Sequence, residues 1–284
     1  MQIYHFGEDL QTRLNLLKSS GNKIGFVPTM GALHEGHLSL IQLARASCTH
    51  VIVSIFVNPT QFNDLSDFEK YPSTISNDIR LLNNAGCDIL FYPDVQEIYP
   101  NGMKLRNQYP LGYLEEILEG KHRPGHFQGV CQVVDRLLTI VNPHTLFLGE
   151  KDYQQCMVIS KLLELTNRTA KTELIIGSTM REKDGLAMSS RNARLTDAQR
   201  KKAAAIYQCL NELKKNIHND EITALKEKVI LSLEQEGFQV DYVEIADAKT
   251  LLPVSDISRS EKLHVLIAAK IGSVRLIDNI SLLS

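Results

Sequence analysis

The sequence lacks several features that would assign it to a specialised class of protein. Its five cysteines are widely spaced, odd in number and never form a C-x-x-C pair, so neither a disulfide framework nor a thiolate metal site is indicated. Charge of neither sign is in surplus, since 31 basic residues face 33 acidic ones and leave a net charge of −2. Because no global cationic field would attract a polyanion, we expect a small-molecule partner and no nucleic acid.

Long apolar runs are also missing. No uninterrupted apolar segment approaches the length that crosses a bilayer, and Glu8 and Asp9 stand where a secretory signal peptide would have its apolar core. We therefore expect a cytoplasmic protein that does not bind a membrane. The chain has 284 residues, of which 43% are hydrophobic, and it is long enough to bury a deep site in one or two domains.

From residue 23 to about residue 177, short β-rich segments alternate with amphipathic segments of helical length. The five expected strands are IGFVP, VIVSIFV, DILFYP, TLFLG and ELIIG, and the expected helices lie near 36–47, 74–85, 127–141 and 153–167. Parallel neighbours need crossover connections, which pack on both faces of the sheet. The pattern predicts an α/β fold with a Rossmann-like, doubly wound parallel sheet that binds ligands beyond the carboxyl ends of its strands.

The pattern changes after Gly177. A polar stretch, STMREKDGLAMSSRN, precedes two charged amphipathic helices near 196–216 and 221–236, and a tail containing VDYVEIA, KLHVLIAAK and SVRLIDN follows. This order predicts a smaller α+β domain in which Ile271-Gly272 forms a hairpin turn. We place the boundary at residue 181, so that residues 1–181 form the larger domain and residues 182–284 the smaller one.

The segment PTMGALHEGHLSLI, residues 28–41, follows the first expected strand and begins a helix. Gly31 and Gly36 let the backbone approach a ligand, and the helix start offers unpaired N–H groups to a phosphate. The segment matches neither the zinc signature H-E-x-x-H nor a Walker A loop. Local hydrogen bonds could explain His34 and His37 alone, but the strand, turn and His-x-Gly-His together favour nucleotidyl transfer, in which imidazole donors stabilise charge on the α-phosphate.

Two more segments leave expected strands at the ligand-binding edge. SIFVNPTQF carries Asn58 and Gln61, whose amides can hydrogen-bond hydroxyl and carboxylate oxygens, although Asn-Pro is also ordinary turn chemistry. FLGEKDYQQ carries Lys151 for phosphate oxygens, Asp152 for a ribose hydroxyl and Gln155 one helical turn further on. A solvated helix start explains the charges of this second segment equally well.

A fourth segment, MREKDGLAMSSRNARL, places Ser189, Ser190 and Arg191 in succession near the domain boundary. Two hydroxyl groups and a guanidinium group can hold a polyphosphate, whereas the alternative is a capped helix entry with a surface arginine. In RPGHF, Arg123 and His126 flank a Pro-Gly turn, where they either line the pocket or shape the loop.

In combination, PTMGALHEGHLSLI, VNPTQF, RPGHFQGV, FLGEKDYQQ and the MSSRN loop closely resemble the pantothenate synthetase (pantoate:beta-alanine ligase) family, in order from about residue 24 to residue 195. His-x-Gly-His alone is shared with nucleotidyltransferases and class I aminoacyl-tRNA synthetases, whereas GEKDYQQ and VNPTQF together are far more specific. The resemblance implies condensation of pantoate with beta-alanine to pantothenate through a pantoyl adenylate, with ATP converted to AMP and pyrophosphate. It also implies Mg²⁺ as the companion of ATP, no structural metal, a homodimer and a C-terminal domain that closes over the N-terminal one.

The resemblance also assigns residues by position. The implied catalytic residues are His34, His37 as the proton donor, Lys151, Ser189, Ser190 and Arg191. The implied ATP contacts are Met30, Gly31, Ala32, Leu33, His34, Glu35, Gly36, His37, Gly149, Glu150, Lys151, Asp152, Met180, Met188, Ser189, Ser190 and Arg191. The implied substrate contacts are Asn58, Gln61 and Gln155. Ser73 and Asn77 depart from the family pattern, so we assign no metal or polar role to the 71–78 loop.

Two other functions remain open on the motifs. A nucleotidyltransferase would share His-x-Gly-His but would leave the nucleotide on its product, whereas the ligase would release free AMP. A noncatalytic RNA-binding relative of the tRNA synthetases is disfavoured, because the chain lacks both a basic surplus and an added anticodon-binding region.

Overall fold

The computed structural model describes residues 1–63, 65–104, 108–219 and 221–282. The chain forms two compact units. The first comprises Met1–Glu150 and Gln155–Ser178, and the second comprises Lys151–Gln154 and Thr179–Ser284. The main division therefore comes shortly before residue 181, and a short segment after Glu150 belongs to the second unit.

A parallel sheet forms the centre of the first unit. Its strands are β1 (Gln2–Tyr4), β2 (Ile24–Thr29), β3 (His50–Ile55), β4 (Ile89–Phe91), β5 (Thr145–Gly149) and β6 (Glu173–Gly177). Within the described residues the sheet has six strands in the order β1-β4-β3-β2-β5-β6. The direction of the order changes between β2 and β5, which are joined at Gly25–Thr145 and Phe26–Leu146. Such a reversal is where doubly wound sheets bind ligands, beyond the carboxyl ends of the strands.

The α/β prediction and the five expected strands are confirmed. Central positions such as Phe26, Ile52 and Phe147 are fully buried, as expected for parallel strands covered on both faces. Strand β1, which pairs with β4 at the edge of the sheet, was not predicted from the sequence. This strand has only three residues and is mostly exposed, so it shows no apolar alternation.

Helices connect the strands of the first unit. They are α1 (Gly7–Ser19), α2 (Glu35–Ser47), α3 (Leu65–Glu69), α4 (Ile75–Ala85), α5 (Val95–Ile98), α6 (Leu118–His122), α7 (His126–Val141) and α8 (Tyr153–Leu165). The four helices expected between residues 36 and 167 correspond to α2, α4, α7 and α8. A short 3₁₀ helix, Pro59–Gln61, follows β3, and another, Glu150–Asp152, follows β5.

The second unit has its own sheet and core. Its helices are α9 (Asp197–Ala203), α10 (Ala205–Asn216) and α11 (Ile222–Gln235), and its strands are β7 (Gln239–Asp247), β8 (Leu263–Ile271) and β9 (Val274–Ser281). The strands are antiparallel in the order β7-β8-β9, and their buried face packs with α10 and α11 around Leu210, Leu233 and Val265. The α+β prediction is confirmed.

Two details of the second unit differ from the sequence prediction. The helix expected near 196–216 is two helices that meet at Ala204. The hairpin turn lies one residue later than expected, at Gly272 and Ser273, because Ile271 still pairs with Val274. Gly272 has a φ of +58°, a conformation that glycine adopts without steric cost.

The thiol groups are largely enclosed. Cys48 is half-buried, and the other four cysteines are buried. Burial raises the pKa of Cys87 and of Cys131 to about 12, and that of Cys209 to about 11. A search of the described residues for a helix long and apolar enough to cross a membrane finds none.

Candidate active site

The loop between β2 and α2 is held by a buried carboxylate. Gly31 and Ala32 have left-handed φ values of +79° and +49°. Asp78, which is 1% exposed, accepts hydrogen bonds from the backbone N–H groups of Ala32 at 3.0 Å and Leu33 at 2.9 Å. The hydroxyl of Thr74 donates to the same carboxylate at 3.1 Å. These bonds fix the backbone that leads into His34-Glu35-Gly36-His37.

The two histidines form a reciprocal cap at the start of α2. His34 Nδ1 accepts from the Gly36 N–H at 3.2 Å, and His37 Nδ1 accepts from the His34 N–H at 3.3 Å. Their ring centroids are 4.1 Å apart. Because Nδ1 accepts a hydrogen bond in each ring, a neutral ring carries its proton on Nε2. The local hydrogen bonds that could explain the two histidines structurally are therefore present. The same bonds leave the proton of each neutral ring on Nε2, which is then a hydrogen-bond donor.

The segment after β3 is organised around Asn58, which is 1% exposed. Its Nδ2 donates to Gln61 Oε1 and to the Gly129 carbonyl, both at 3.1 Å. Its Oδ1 accepts from Thr60 and, at 2.7 Å, from the Tyr99 hydroxyl. These bonds engage both the amide nitrogen and the amide oxygen of Asn58, so Asn58 holds Gln61 in place. That Asn58 also contacts a substrate stays a prediction.

Gln61 links two of the expected ligand segments. Its Nε2 lies 3.1 Å from the sulfur of Met30, in the loop after β2. Its carbonyl oxygen lies 2.8 Å from His126 Nδ1 and 3.4 Å from the Arg123 guanidinium. Arg123 and His126 were expected either to line the pocket or to shape their loop, and these contacts support the second interpretation.

Glycine allows α7 to approach this segment closely. A Cβ atom on Gly129 would lie 2.4 Å from the Thr60 carbonyl oxygen, so the backbone of α7 contacts the Pro59–Gln61 turn directly. Gly129 lies in the RPGHFQGV segment but was not singled out from the sequence. A glycine among the larger buried residues of a helix indicates a close backbone contact, and Gly129 could have been identified on this basis.

The segment after β5 is divided between the two units. Gly149, Glu150 and Gln155 are half-buried in the first unit, at the carboxyl end of the strand beside β2. Lys151 and Asp152 belong to the second unit, where Lys151 Nζ lies 3.6 Å from Asp152 Oδ1. The Lys151 side chain is 19% exposed, and the Lys151 carbonyl accepts from Asn279 Nδ2 at 3.0 Å.

The 180–191 segment forms a tight loop in the second unit. Arg181 and Ala187 form an antiparallel bridge, and the Met188 N–H donates to the Met180 carbonyl at 2.9 Å. Ser189 Oγ accepts from the Arg191 N–H at 3.2 Å and caps the short 3₁₀ helix Ser190–Arg194. The capped turn of the alternative interpretation is thus present, and it carries Ser190 and Arg191 on one half-buried turn.

A buried ion pair supports this loop. The Arg181 guanidinium donates to both carboxylate oxygens of Asp278, at 2.6 and 3.0 Å. Burial raises the pKa of the Asp278 carboxyl, while the bonded Arg181 acts in the opposite direction. This pair was not predicted from the sequence, although Asp278 shares the buried face of β9 with Val274 and Leu276.

The predicted site residues therefore fall into two local groups. Residues 30–37, 58–61, 149–150 and 155 lie at the carboxyl ends of β2, β3 and β5 in the first unit, while Lys151, Asp152 and the 180–191 loop lie in the second. That both groups bind one triphosphate stays a prediction.

The family profile described as Pantoate-beta-alanine ligase matches residues 2–281. The chain belongs to the pantoate-beta-alanine ligase family. It is 45% identical over 276 residues to the pantothenate synthetase of Cytophaga hutchinsonii, covering 95% of this chain and 96% of that one. It is 44% identical over 283 residues to that of Azobacteroides pseudotrichonymphae, covering 99% and 100%.

Solved structures of pantoate-beta-alanine ligases have the same fold. The pantothenate synthetase of Thermus thermophilus superposes with a TM-score of 0.92 at 37% identity and covers 100% of both chains. The ligase of Francisella tularensis, described as complexed with beta-gamma ATP and beta-alanine, has a TM-score of 0.81 at 38% identity and covers 99% of this chain and 98% of that one. As a member of this ligase family, the chain is an enzyme.

Asp78 is the supporting residue of the first unit that motif analysis overlooked. It belongs to the 71–78 segment, to which we assigned no polar role, and it lies in the first turn of α4, on the buried face with Leu82 and Ala85. A carboxylate at a buried helical position needs hydrogen-bond partners. The spacing of Asp78 with Leu82 and Ala85 could therefore have indicated a structural role for it.

Proposed function

We propose that this enzyme condenses pantoate with beta-alanine to form pantothenate, through a pantoyl adenylate, while ATP is converted to AMP and pyrophosphate. The observation that carries the proposal is the His34–His37 cap, which places two imidazole rings with Nε2 donors at the start of α2. This cap lies beyond the carboxyl end of β2, next to the reversal of strand order. The ATP and beta-alanine named for the Francisella tularensis ligase supply further support.

The first step requires no general base. The pantoate carboxylate is ionised at neutral pH, so one of its oxygens attacks the α-phosphorus while the bond to the leaving pyrophosphate breaks. Asn58, Gln61 and Gln155 would contact the substrates, with Gln61 and Gln155 holding pantoate, and Asn58 also fixes the Gln61 amide. The histidine Nε2–H groups would stabilise charge on the phosphate oxygens, with His37 as the proton donor.

The second unit would neutralise the triphosphate. Lys151 and Arg191 supply positive charge, and Ser189 and Ser190 supply hydroxyl groups. Further ATP contacts would come from Met30, Gly31, Ala32, Leu33, Glu35, Gly36, Gly149, Glu150, Asp152, Met180 and Met188.

Mg²⁺ would arrive with ATP and neutralise phosphate charge. Mg²⁺ commonly binds through substrate phosphates, water and one or two carboxylates. No group of three or more His, Cys, Asp or Glu side chains among the described residues is placed to hold a metal ion. Asp78, the buried carboxylate at the histidine loop, is bonded to Ala32, Leu33 and Thr74. A metal that the nucleotide carries needs no such group of protein side chains.

The second step is attack on the adenylate by the free amine of beta-alanine, which displaces AMP and forms the amide bond. The proposal includes closure of the smaller domain, residues 182–284, over the ATP- and pantoate-binding domain, because an acyl adenylate hydrolyses when water reaches it. It also includes a homodimer located in the cytoplasm.

Isotope exchange between pyrophosphate and ATP tests the reaction order. We expect exchange that requires pantoate and proceeds without beta-alanine, since adenylate formation is reversible before the amine arrives. Exchange without pantoate would overturn the substrate assignment. Mass spectrometry of the complete reaction should show free AMP, and a stable nucleotidylated product would instead identify a nucleotidyltransferase.

A further inference from the structure

Strand β9 contacts two of the segments that we assign to ATP. Asp278, which is 4% exposed, accepts both bonds of the Arg181 guanidinium at the start of the 180–191 loop. The next residue, Asn279, donates from Nδ2 to the Lys151 carbonyl at 3.0 Å. Its own carbonyl accepts from Arg181 at 3.2 Å. All these residues belong to the second unit.

Arg181 also fixes the shape of the loop that it begins. Its guanidinium donates to the Gly185 carbonyl at 3.1 Å and lies 4.1 Å from the centroid of the Tyr207 ring. Gly185 packs against the same ring, since a Cβ at that position would lie 2.0 Å from Tyr207 Cδ1. One guanidinium therefore joins the turn of the loop, the α10 aromatic ring and β9.

We propose that Arg181, Asp278 and Asn279, here called the β9 cluster, are positioning residues that fix the spacing between Lys151 and Ser189–Arg191 and thereby set the affinity for the triphosphate of ATP. The proposal rests on the proposed function, because the spacing matters only if both segments bind the nucleotide. A bidentate arginine–carboxylate pair has one preferred planar geometry, so it defines position more narrowly than a single ammonium contact. Displacement of phosphate-binding groups by about 1 Å can cost about a hundredfold in rate.

The same strand offers a matched control. Arg275 Nε lies 2.7 Å from Asp241 Oδ2, and this half-buried pair joins β9 to β7. The pair lies in the same sheet as Asp278, and Arg275 stands three positions earlier in β9, on the opposite face of the strand. Asp241→Asn removes an ion pair from β9 as Asp278→Asn does, but it leaves the side chains of Arg181, Asp278 and Asn279 unchanged.

The main experiment measures binding of the β,γ-methylene analogue of ATP by calorimetry in the wild type, Asp278→Asn and Asp241→Asn, together with KM for ATP and for beta-alanine. Asp278→Asn should raise the Kd of the analogue and the KM for ATP by about tenfold or more, and leave the KM for beta-alanine within about twofold. Asp241→Asn should lower the melting temperature but leave all three constants within about twofold. If Asp278 only stabilised the fold, the Kd of the analogue and the KM for ATP would change in the same way in both variants.

Asn279→Ala tests the other side of the cluster, since it removes the side-chain bond to the Lys151 carbonyl and keeps the backbone carbonyl that accepts from Arg181. It should slow pantoate-dependent pyrophosphate exchange by about three- to tenfold in a chain that still melts cooperatively. If Asp278→Asn fails to fold, Asn279→Ala and Arg181→Lys decide the matter. Arg181→Lys keeps the charge but loses the bidentate geometry, so it should also raise the KM for ATP.

The outcomes separate the two proposals. A wild type that binds no analogue overturns the proposed function and, with it, the positioning role. A wild type with pantoate-dependent exchange, combined with unchanged ATP constants in the folded variants of the β9 cluster, overturns the positioning role alone. Equal loss of ATP binding in Asp241→Asn would also overturn it.

Discussion

His34 and His37 each accept a main-chain N–H group, but their loss should have different consequences. His34 is the N-cap residue, and a capping side chain contributes about 1 kcal/mol to helix stability. His37 lies within the first turn of α2, where its Nδ1 bond returns to the His34 backbone. Stability and rate measurements together can therefore separate capping from chemistry.

We expect His37→Ala to lower the single-turnover rate of adenylate formation by about two to three orders of magnitude, because one donor to the developing phosphate charge is removed. Its melting temperature should fall by only a few degrees, roughly the effect of one lost hydrogen bond. Ser39→Ala is the control, since it removes a bond to the Gly36 carbonyl in the same helical turn. An unchanged rate in His37→Ala would remove this histidine from the chemistry.

At this scale, sequence motifs located the proposed reacting groups better than their supports. His-x-Gly-His, Gln61 and Lys151 stand in short contiguous patterns that chemistry explains. Asp78 contacts Ala32 across 46 residues of chain, and Arg181 contacts Asp278 across 97. Such long-range pairs depend on packing that no local spacing encodes, although the buried-face position of each aspartate was a partial signal.

Among the elements, α7 and the Pro59–Gln61 turn make a close backbone contact at the proposed pantoate site. Gly129→Ala should destabilise the protein by about 1–3 kcal/mol, because its Cβ would lie 2.4 Å from the Thr60 carbonyl and something must shift. The displaced turn carries Gln61, so the KM for pantoate should rise while the KM for ATP changes little. Steady-state kinetics and chemical denaturation measure the two effects.

Gly149→Ala is the control for the stability part, since its Cβ would lie 3.9 Å from Leu40 Cδ1, an ordinary contact. Its melting temperature should stay near that of the wild type. A Gly129→Ala protein as stable as Gly149→Ala would contradict the close contact between α7 and the turn.

The join between β2 and β5 predicts a pH effect on stability. His144 Nδ1 accepts from the Ile24 N–H at 2.9 Å. Burial, followed by the charges of Lys18 and Lys23, holds the His144 pKa below its ordinary value. As pH falls through about 6.5, the unfolded chain therefore takes up this proton before the folded chain does, and folding stability declines.

Thermal unfolding of the wild type and His144→Asn between about pH 7.5 and 5 measures the effect, since the replacement amide at this position does not titrate. The wild type should lose stability relative to the variant as the pH falls. A difference in melting temperature that is constant across the range would show that His144 does not contribute.

The sequence predicted the type of most elements because their patterns are strong, as in the mostly apolar β3 and the amphipathic α7. The sequence could not predict the strand order. β2 and β5 are neighbours in the sheet although β3 and β4 lie between them in the chain, and this pairing depends on long-range packing. The edge strand β1 is too short to show a period, and Ala204 interrupts a helical pattern without a proline or glycine to mark the break.

For the whole molecule, we expect a homodimer. Closed two-fold dimers are the commonest soluble assemblies, and the family resemblance implies one here. Sedimentation equilibrium should give twice the chain mass of 32.0 kDa at micromolar concentration. A single species with the mass of one chain would contradict this expectation.

The accessibility of the thiols also has a practical consequence for the whole molecule. Four of the five cysteines are buried, with Cys87, Cys131 and Cys209 shifted away from the reactive thiolate form, while Cys48 is half-buried. Maleimide reagents attack accessible thiolates, so Cys48 should be the first native residue to be labelled. Replacing this one residue would therefore provide a background for fluorophores attached at chosen surface positions, with which conformational changes during turnover could be followed.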